Sequence, residues 1–85
     1  MTKAKPYCNV FLLTLNRETM QKALEIVRSI CEMHGYTIEH IIESRVVQGF
    51  VYIKISHPDA CEHVEEALKK FGDELWTKVE RIEFR

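Results

Sequence analysis

The sequence has few of the residues that break or cross-link a chain: three cysteines, two prolines and three glycines among 85 residues. So little proline and glycine excludes a collagen-like chain and a disordered chain rich in those residues. The cysteine count is odd, and Cys31 and Cys61 fall on apolar helical stripes. We therefore expect no disulfide framework, and free thiols that pack as small hydrophobic side chains.

An excess of charge of one sign and long apolar runs are also lacking. The formal net charge is -1 at pH 7, which gives no whole-molecule attraction to a nucleic acid backbone. The sequence has no apolar stretch of 18 residues, so we predict no membrane span. The basic start precedes an apolar run that is too short, and lacks the cleavage site, for a secretory signal. These observations predict a cytoplasmic protein.

What is present is the composition of an ordinary globular domain, with 46% hydrophobic and 29% charged residues. The length predicts one domain, residues 1–85, with no linker or repeat. A chain this short buries only about 60% of its unfolded surface, so its core is small and oligomerisation would stabilise it.

The most regular pattern is a two-faced helix over residues 16–35. The apolar residues of this stretch fill one half of a helical wheel, and the charged and polar residues fill the other half. Asn16 is placed to cap the amino end, and Gly35 supplies the left-handed residue that commonly ends a helix. A second helix is predicted to open at His57-Pro58-Asp59 and to close at Gly72.

Apolar, β-branched and aromatic residues predict four strands, at residues 8–15, 36–47, 50–56 and 78–84. The element order is therefore β-α-β-β-α-β. Right-handed crossovers fold this order into an α+β ferredoxin-like sandwich, with a four-stranded antiparallel sheet and both helices on one face.

The positions of the charged residues indicate a register for the central hairpin. If Gln48 and Gly49 form a two-residue turn, four cross-strand pairs result: Val47 with Phe50, Arg45 with Tyr52, Glu43 with Lys54 and Ile42 with Ile55. This register predicts a salt bridge between Glu43 and Lys54 and a contact of Arg45 with the Tyr52 ring. It also turns Ile42 and Val46 toward the helices and Ile41 away from them.

The face away from the helices is predicted to be apolar. If Phe11 and Leu13 point to that face, they join Arg45, Val47, Phe50 and Tyr52 as an interface; the other register of strand one turns Val10 and Leu12 outward instead. Either register exposes a larger apolar patch than monomeric proteins usually leave in water. We therefore expect a second copy or a partner protein to cover it.

The candidate metal-binding and catalytic residues give little support for a site. His57, Cys61 and His63 are suitable ligand types, but His63 lies about 200° around the helix from Cys61, so one ion cannot bind all three. No cysteine–histidine pair has an orienting third group. We predict no metal, no cofactor and no catalytic set, and hence a protein that is not an enzyme.

Two families share the predicted topology. The segments 10–15 and 48–55 resemble the two strand signatures of the RNA-recognition motif, which implies base stacking on Phe11, Phe50 and Tyr52. Gln48, Val51 and Ile55 depart from those signatures, and the long basic loop between the middle strands is absent.

Residues 8–84 also resemble the ACT domain, and more closely the short regulatory subunits of acetohydroxyacid synthase. The resemblance rests on Asn16-Arg17-Glu18-Thr19 at the first turn and on Gly35-Tyr36-Thr37-Ile38 at the entry to strand two. It implies a homodimer, a larger enzyme as partner, and a small amino-acid effector bound by Asn16, Arg17, Glu18, Thr19, Tyr36 and Ile38. The Pro-Gly typical of the family's first turn is missing here.

The expected function is therefore a small regulatory or interaction domain that forms homo-oligomers and binds a partner protein or an effector. The alternatives are an RNA-binding module that uses the open sheet face and a free-standing inhibitor that docks on a larger enzyme.

Overall fold

A computed structural model describes residues 5–83 of the chain. In order, the elements are β1 (Tyr7–Leu13), α1 (Arg17–His34), β2 (Ile38–Glu43), β3 (Phe50–Ile55), α2 (Ala60–Leu68), a 3-10 segment (Lys69–Glu74) and β4 (Trp76–Ile82). The strands form one antiparallel sheet in the order β2-β3-β1-β4. The α+β ferredoxin-like prediction is confirmed, with both helices packed on one face. No helix in residues 5–83 has the length and apolarity to cross a bilayer.

The long helix begins and ends where the sequence predicts. The side-chain oxygen of Asn16 accepts a hydrogen bond from the backbone N–H of Thr19 at 3.1 Å, and Gly35 adopts φ 73°. After Gly35, the N–H of Tyr36 donates to the carbonyl of Cys31 at 2.8 Å, which closes the helix. The last turn extends beyond the core, because burial stops at Cys31 and Met33, predicted to be apolar-facing, is 78% exposed.

Strict alternation in β1 and β3 builds the core. Val10, Leu12 and Ile53 are fully buried against the helices, and their chain neighbours point to the opposite face. Of the two registers left open for strand one, the structure therefore has the one that turns Phe11 and Leu13 away from the helices.

The predicted hairpin register is wrong by three residues. The strand expected over residues 36–47 is only Ile38–Glu43, and Glu43 pairs with Val51. The cause is Ser44, whose hydroxyl accepts the backbone N–H groups of Val46 and Val47 at 3.2 and 2.9 Å and bends the chain out of the ladder. Gln48 and Gly49 do form a turn, but it closes a six-residue loop.

An odd shift exchanges the two faces of a strand. Ile42, predicted to face the helices, pairs with Tyr52 on the open face, whereas Ile41 pairs with Ile53 on the helix side. The Glu43–Lys54 salt bridge does not form, because Lys54 pairs with Glu39 at 3.8 Å. Arg45 lies in the loop, outside the ladder, so it is not opposite Tyr52.

The expectation of free cysteines is wrong for two of the three. Cys8 in β1 and Cys61 in α2 form a disulfide whose Cα atoms are 5.6 Å apart, and 53 residues separate them in sequence. Three cysteines can still form one disulfide. The fold packs the buried side of β1, which carries Cys8, against the buried side of α2, which carries Cys61. Cys31 is free and buried as predicted, and burial raises the pKa of its thiol, which disfavours the reactive thiolate.

The end of the chain also differs from the prediction. The second helix stops at Leu68 and continues as the 3-10 segment, in which Gly72 departs from helical angles. The last strand begins at Trp76, two residues before the predicted start, and Phe84 and Arg85 lie outside the described residues.

Gly49 fixes the β2–β3 loop to the end of β1. The N–H of Thr14 donates to the carbonyl of Gly49 at 3.1 Å, and Gly49 adopts φ 77°. A Cβ at this position would lie 2.2 Å from the carbonyl oxygen of Thr14, which is backbone and cannot move aside cheaply. Only glycine satisfies both the backbone angle and the close approach.

We predict that Gly49→Ala lowers the free energy of unfolding by about 2 kcal/mol or more, because left-handed strain and a backbone clash act together. Gly35→Ala is the matched control, since it has φ 73° and open space around the added methyl group. Urea denaturation of both variants measures the difference. If both variants lose the same free energy of unfolding, the close contact with the Thr14 carbonyl adds no cost of its own.

Candidate functional site

The open face of the sheet carries an apolar patch that crosses all four strands. In one row, Ile42, Tyr52 and Phe11 lie on adjacent strands and Lys78 follows on β4. In the next row, Phe50, Leu13 and Trp76 lie side by side on β3, β1 and β4. We call the six apolar members the apolar patch: Phe11, Leu13, Ile42, Phe50, Tyr52 and Trp76.

The rings at the centre of the patch pack on one another. The Phe11 and Tyr52 rings are stacked, with centroids 5.3 Å apart, and Phe50 lies 6.1 Å from Phe11. The outer members are the exposed ones, Ile42 at 53% and Trp76 at 49%. The patch is therefore a packed layer that keeps large apolar surface in water at both edges of the sheet.

Tyr52 is held by a hydrogen bond within the sheet face. Its hydroxyl donates to the side-chain oxygen of Asn9 at 2.5 Å. Burial raises the pKa of Tyr52, and the nearby Tyr7, Glu39 and Glu80 add to that rise. The hydroxyl is thus a fixed, neutral donor that orients the ring.

A polar row borders the apolar patch on the side away from the β2–β3 loop. It contains His40, Lys54, Asn9 and Glu80 on the four strands in spatial order. Lys54 lies 4.4 Å from the centroid of the Tyr7 ring and pairs with Glu39. The open face is therefore divided into an apolar half and a polar half.

The structure places four of the six predicted interface residues together on this face: Phe11, Leu13, Phe50 and Tyr52. Arg45 and Val47 lie instead in the loop beyond the end of β2. Sequence reasoning missed Ile42, because of the register error, and Trp76. The alternation of Trp76, Lys78 and Glu80 with Thr77 and Val79 was the signal that a strand begins at Trp76.

A second candidate site is a small cleft at the amino end of α1. Its volume is about 170 Å³. The cleft is lined by Thr14, Leu15, Arg17, Met20, Leu24, Glu43, Gln48, Gly49 and Val51. Arg17 and Glu43 form no ion pair with any described residue, so the cleft presents one cation, one anion and an apolar wall.

The residues predicted to bind an effector do not meet within one chain. Asn16, Arg17, Glu18 and Thr19 begin α1, whereas Tyr36 and Ile38 follow its end, about 27 Å away along an 18-residue helix. Arg17 lines the cleft. The Asn16 side chain is used in the cap, and Thr19 is only 5% exposed. A single site with both groups would need a second copy of the chain.

Tyr36 belongs to a different cluster, at the far end of α1. His63, His34, Tyr36 and His57 stack in sequence, with successive centroids 4.1, 5.4 and 5.0 Å apart. The described residues contain no group of three or more His, Cys, Asp or Glu side chains arranged to hold a metal ion. Cys61, which the sequence offers as a candidate metal ligand with His57 and His63, is bound in the disulfide.

Comparison with known proteins supports the fold. No protein-family model matches the chain, and no curated protein matches it. Among solved structures it is similar to the de novo designed protein Foldit4, with a TM-score of 0.64 and 13% identity over 96% of this chain and 100% of that one. It is also similar to the de novo designed protein Ferredog-Diesel, with a TM-score of 0.51 and 16% identity over 94% of this chain and 88% of that one. At these identities the likeness concerns the fold alone.

We predict that Asn9 and Tyr52 are coupled. Tyr52→Phe should lower the free energy of unfolding by about 1 kcal/mol at neutral pH, and a double-mutant cycle with Asn9→Ala should assign that loss to the hydrogen bond. Because folding raises the pKa of Tyr52, the native state holds this proton more tightly than the unfolded chain does. Stability is therefore lost as the pH rises above about 10, the unfolded tyrosine value, and through the folded pKa.

Urea denaturation at neutral and alkaline pH measures both effects. Tyr52→Phe should lose less stability than the wild type on moving to alkaline pH, since phenylalanine has no proton to lose. A steeper alkaline loss in the variant, or a cycle with no coupling, would contradict the assignment.

Proposed function

We propose that this chain is a small, non-catalytic regulatory or interaction domain. In this proposal it forms a homodimer and binds a partner protein or a small amino-acid-like effector. The observation that carries the proposal is the apolar patch, which spans four strands and includes a half-exposed tryptophan. The resemblance to single ACT domains that regulate acetohydroxyacid synthase supports the same function and favours a larger enzyme as the partner.

Burial of the patch would supply the driving force. Removing one large apolar side chain from water contributes about 1.5–3 kcal/mol, and aromatic residues dominate the energy of protein interfaces. The outer strand axes of a four-stranded sheet are only about 14 Å apart, so the patch is smaller than a standard interface. We therefore expect reversible association at micromolar concentration, as suits a regulatory contact.

The cleft beside Arg17 is the best place for an effector. A free amino acid carries a carboxylate, an ammonium group and a side chain, and the cleft offers Arg17, Glu43 and the apolar residues Met20 and Leu24. The amino end of α1 adds unpaired amides and a positive dipole on the side of the carboxylate. Of the effector-binding residues predicted from the sequence, this assignment retains Arg17, and it adds Glu43.

A cytoplasmic location is also part of the proposal. It rests on the lack of an apolar stretch long enough to span a membrane. Disulfides are rare in the cytosol, where thiol reductants act on them. In that compartment the Cys8 and Cys61 pair would be exposed to reduction.

A second candidate function is binding of single-stranded RNA on the open face. The resemblance to the RNA-recognition motif implies base stacking on Phe11, Phe50 and Tyr52, and Lys78 lies in the same row as Phe11 and Tyr52 on the open face. Against it, Phe11 and Tyr52 use one ring face on each other, and Lys54 is already paired. Protein association is therefore the better-supported function.

We predict that the double variant Phe50→Ala/Tyr52→Ala loses self-association or partner binding and remains folded, because both side chains point away from the core. Light scattering from micromolar to millimolar concentration, at low and high salt, measures association. The loss should depend little on salt, since apolar burial drives it. Met33→Ala is the control, as it removes an exposed apolar side chain from α1.

Two outcomes would contradict this prediction. A wild-type protein that stays at 10 kDa at every concentration, with no partner bound, would remove the leading function. Binding of short single-stranded RNA by the wild type, weakened by high salt and by about 1–3 kcal/mol per lost ring in the variant, would establish the second candidate instead.

We predict that calorimetry with valine, leucine and isoleucine detects binding at the cleft, and that Arg17→Ala weakens it about tenfold or more by removing a charged hydrogen-bond partner of the carboxylate. The change should not harm the helix, because a cation near its amino end is unfavourable. Arg28→Ala, an exposed arginine on the same helix but outside the cleft, is the control. No heat with any of the three amino acids would leave protein contact as the function.

A further inference from the structure

The Cys8–Cys61 disulfide is the one covalent link between side chains of the sheet and α2 in the described residues, and it joins the two halves of the chain. Cys8 lies on the helix side of β1, and Cys61 is the second residue of α2. Neither side chain is accessible: Cys8 is 0% and Cys61 4% exposed. The bond therefore attaches a short helix to the centre of the sheet.

By its own sequence α2 is a poorly stabilised helix. It has nine residues against eighteen in α1, and isolated helices of that length do not persist in water. Asp59 at its amino end makes no capping hydrogen bond, and no left-handed glycine follows its last residue, Leu68. The 3-10 segment that continues it contains no buried residue and a break at Gly72.

The remaining attachments of α2 are few. Its buried side chains other than Cys61 are Ala60, Val64 and Leu68, three residues of a nine-residue helix. Arg81 on β4 bonds to Asp59 at 2.9 Å, but both side chains are well exposed, and such pairs contribute little. His63 stacks on His34 at the surface. The disulfide is thus a covalent addition to a small set of buried contacts that keeps α2 on the sheet.

The other half of the molecule has support of its own. α1 is capped at both ends and buries its own stripe of side chains against the sheet, and β1 pairs with β3 along six residues. Opening the disulfide therefore removes support from α2 and the 3-10 segment far more than from α1, β1 and β3.

We propose that the Cys8–Cys61 pair is a redox switch for the order of α2. A dithiol reductant attacks one sulfur as a thiolate and forms a mixed disulfide; its second thiolate then displaces the protein sulfur. Two electrons and two protons pass to the protein, which gains two thiols, and the reductant leaves as a disulfide. In the reduced chain α2 and the 3-10 segment detach readily from the sheet and expose the apolar surface around Val10 and Val79.

Burial adds a kinetic feature to the switch. A reductant cannot reach either sulfur while α2 is seated, so reduction waits for α2 to open locally in the oxidised protein. The third cysteine does not interfere readily, because burial raises the pKa of the Cys31 thiol and keeps it in the less reactive form.

Hydrogen exchange followed by mass spectrometry tests the proposal on the whole chain, before and after reduction with dithiothreitol. We expect amides in residues 60–74 to exchange about tenfold faster or more after reduction, whereas those of α1, β1 and β3 change by much smaller factors. Cys61→Ala should reproduce the reduced pattern without reductant, and Cys31→Ala, which keeps the disulfide, should retain the oxidised pattern. Equal acceleration in all elements, or none, would overturn the proposal.

A second measurement covers the case in which the reduced chain unfolds completely. The rate of reduction of the native oxidised protein is followed in low concentrations of urea. Reduction through local opening of α2 should accelerate only weakly with urea, because little surface is exposed. A dependence as steep as that of global unfolding would show that α2 does not open separately, and would overturn the switch.

Discussion

The constraint on which this structure depends is the burial of one face of β1 and β3 under the two helices. Val10, Leu12 and Ile53 are completely removed from water, and Ala23 and Val27 of α1 lie in the same core. In a chain of 85 residues this layer is the centre of a small core, so the position of every other element depends on how that element packs on the layer. Since strand side chains alternate, burying that face also fixes which rings must point the other way.

The apolar patch is therefore a consequence of the core as well as a candidate site. Phe11 and Tyr52 stand on the open face because Leu12 and Ile53 stand on the other. What does not follow from alternation is that the rings pack in a row, that Asn9 orients Tyr52, and that Ile42 and Trp76 extend the patch to both edges. Those features give the face a defined shape, which is what a specific contact requires.

The two ends of α1 have different chemistry. Its amino end, with Arg17 and the cleft, is held by the Gly49 loop, which packs directly on the backbone after β1. Its carboxyl end meets α2 through stacked rings at the surface, and one disulfide ties α2 to β1. A rigid end suits ligand binding, and an end held by a reducible bond suits regulation.

The sequence by itself determined the elements that depend on local chemistry. Apolar periodicity and the two caps defined α1, and alternation placed Val51, Ile53, Phe50 and Tyr52 on their correct faces. Apolar alternation could not predict the pairing of Glu43 with Val51, which goes with two tertiary features: the hydrogen bonds to the Ser44 hydroxyl and the contact of the Gly49 loop with Thr14. Tertiary structure alone decided the disulfide and the cleft, because both join residues far apart in sequence, and periodicity carries no information about which distant stripes will meet.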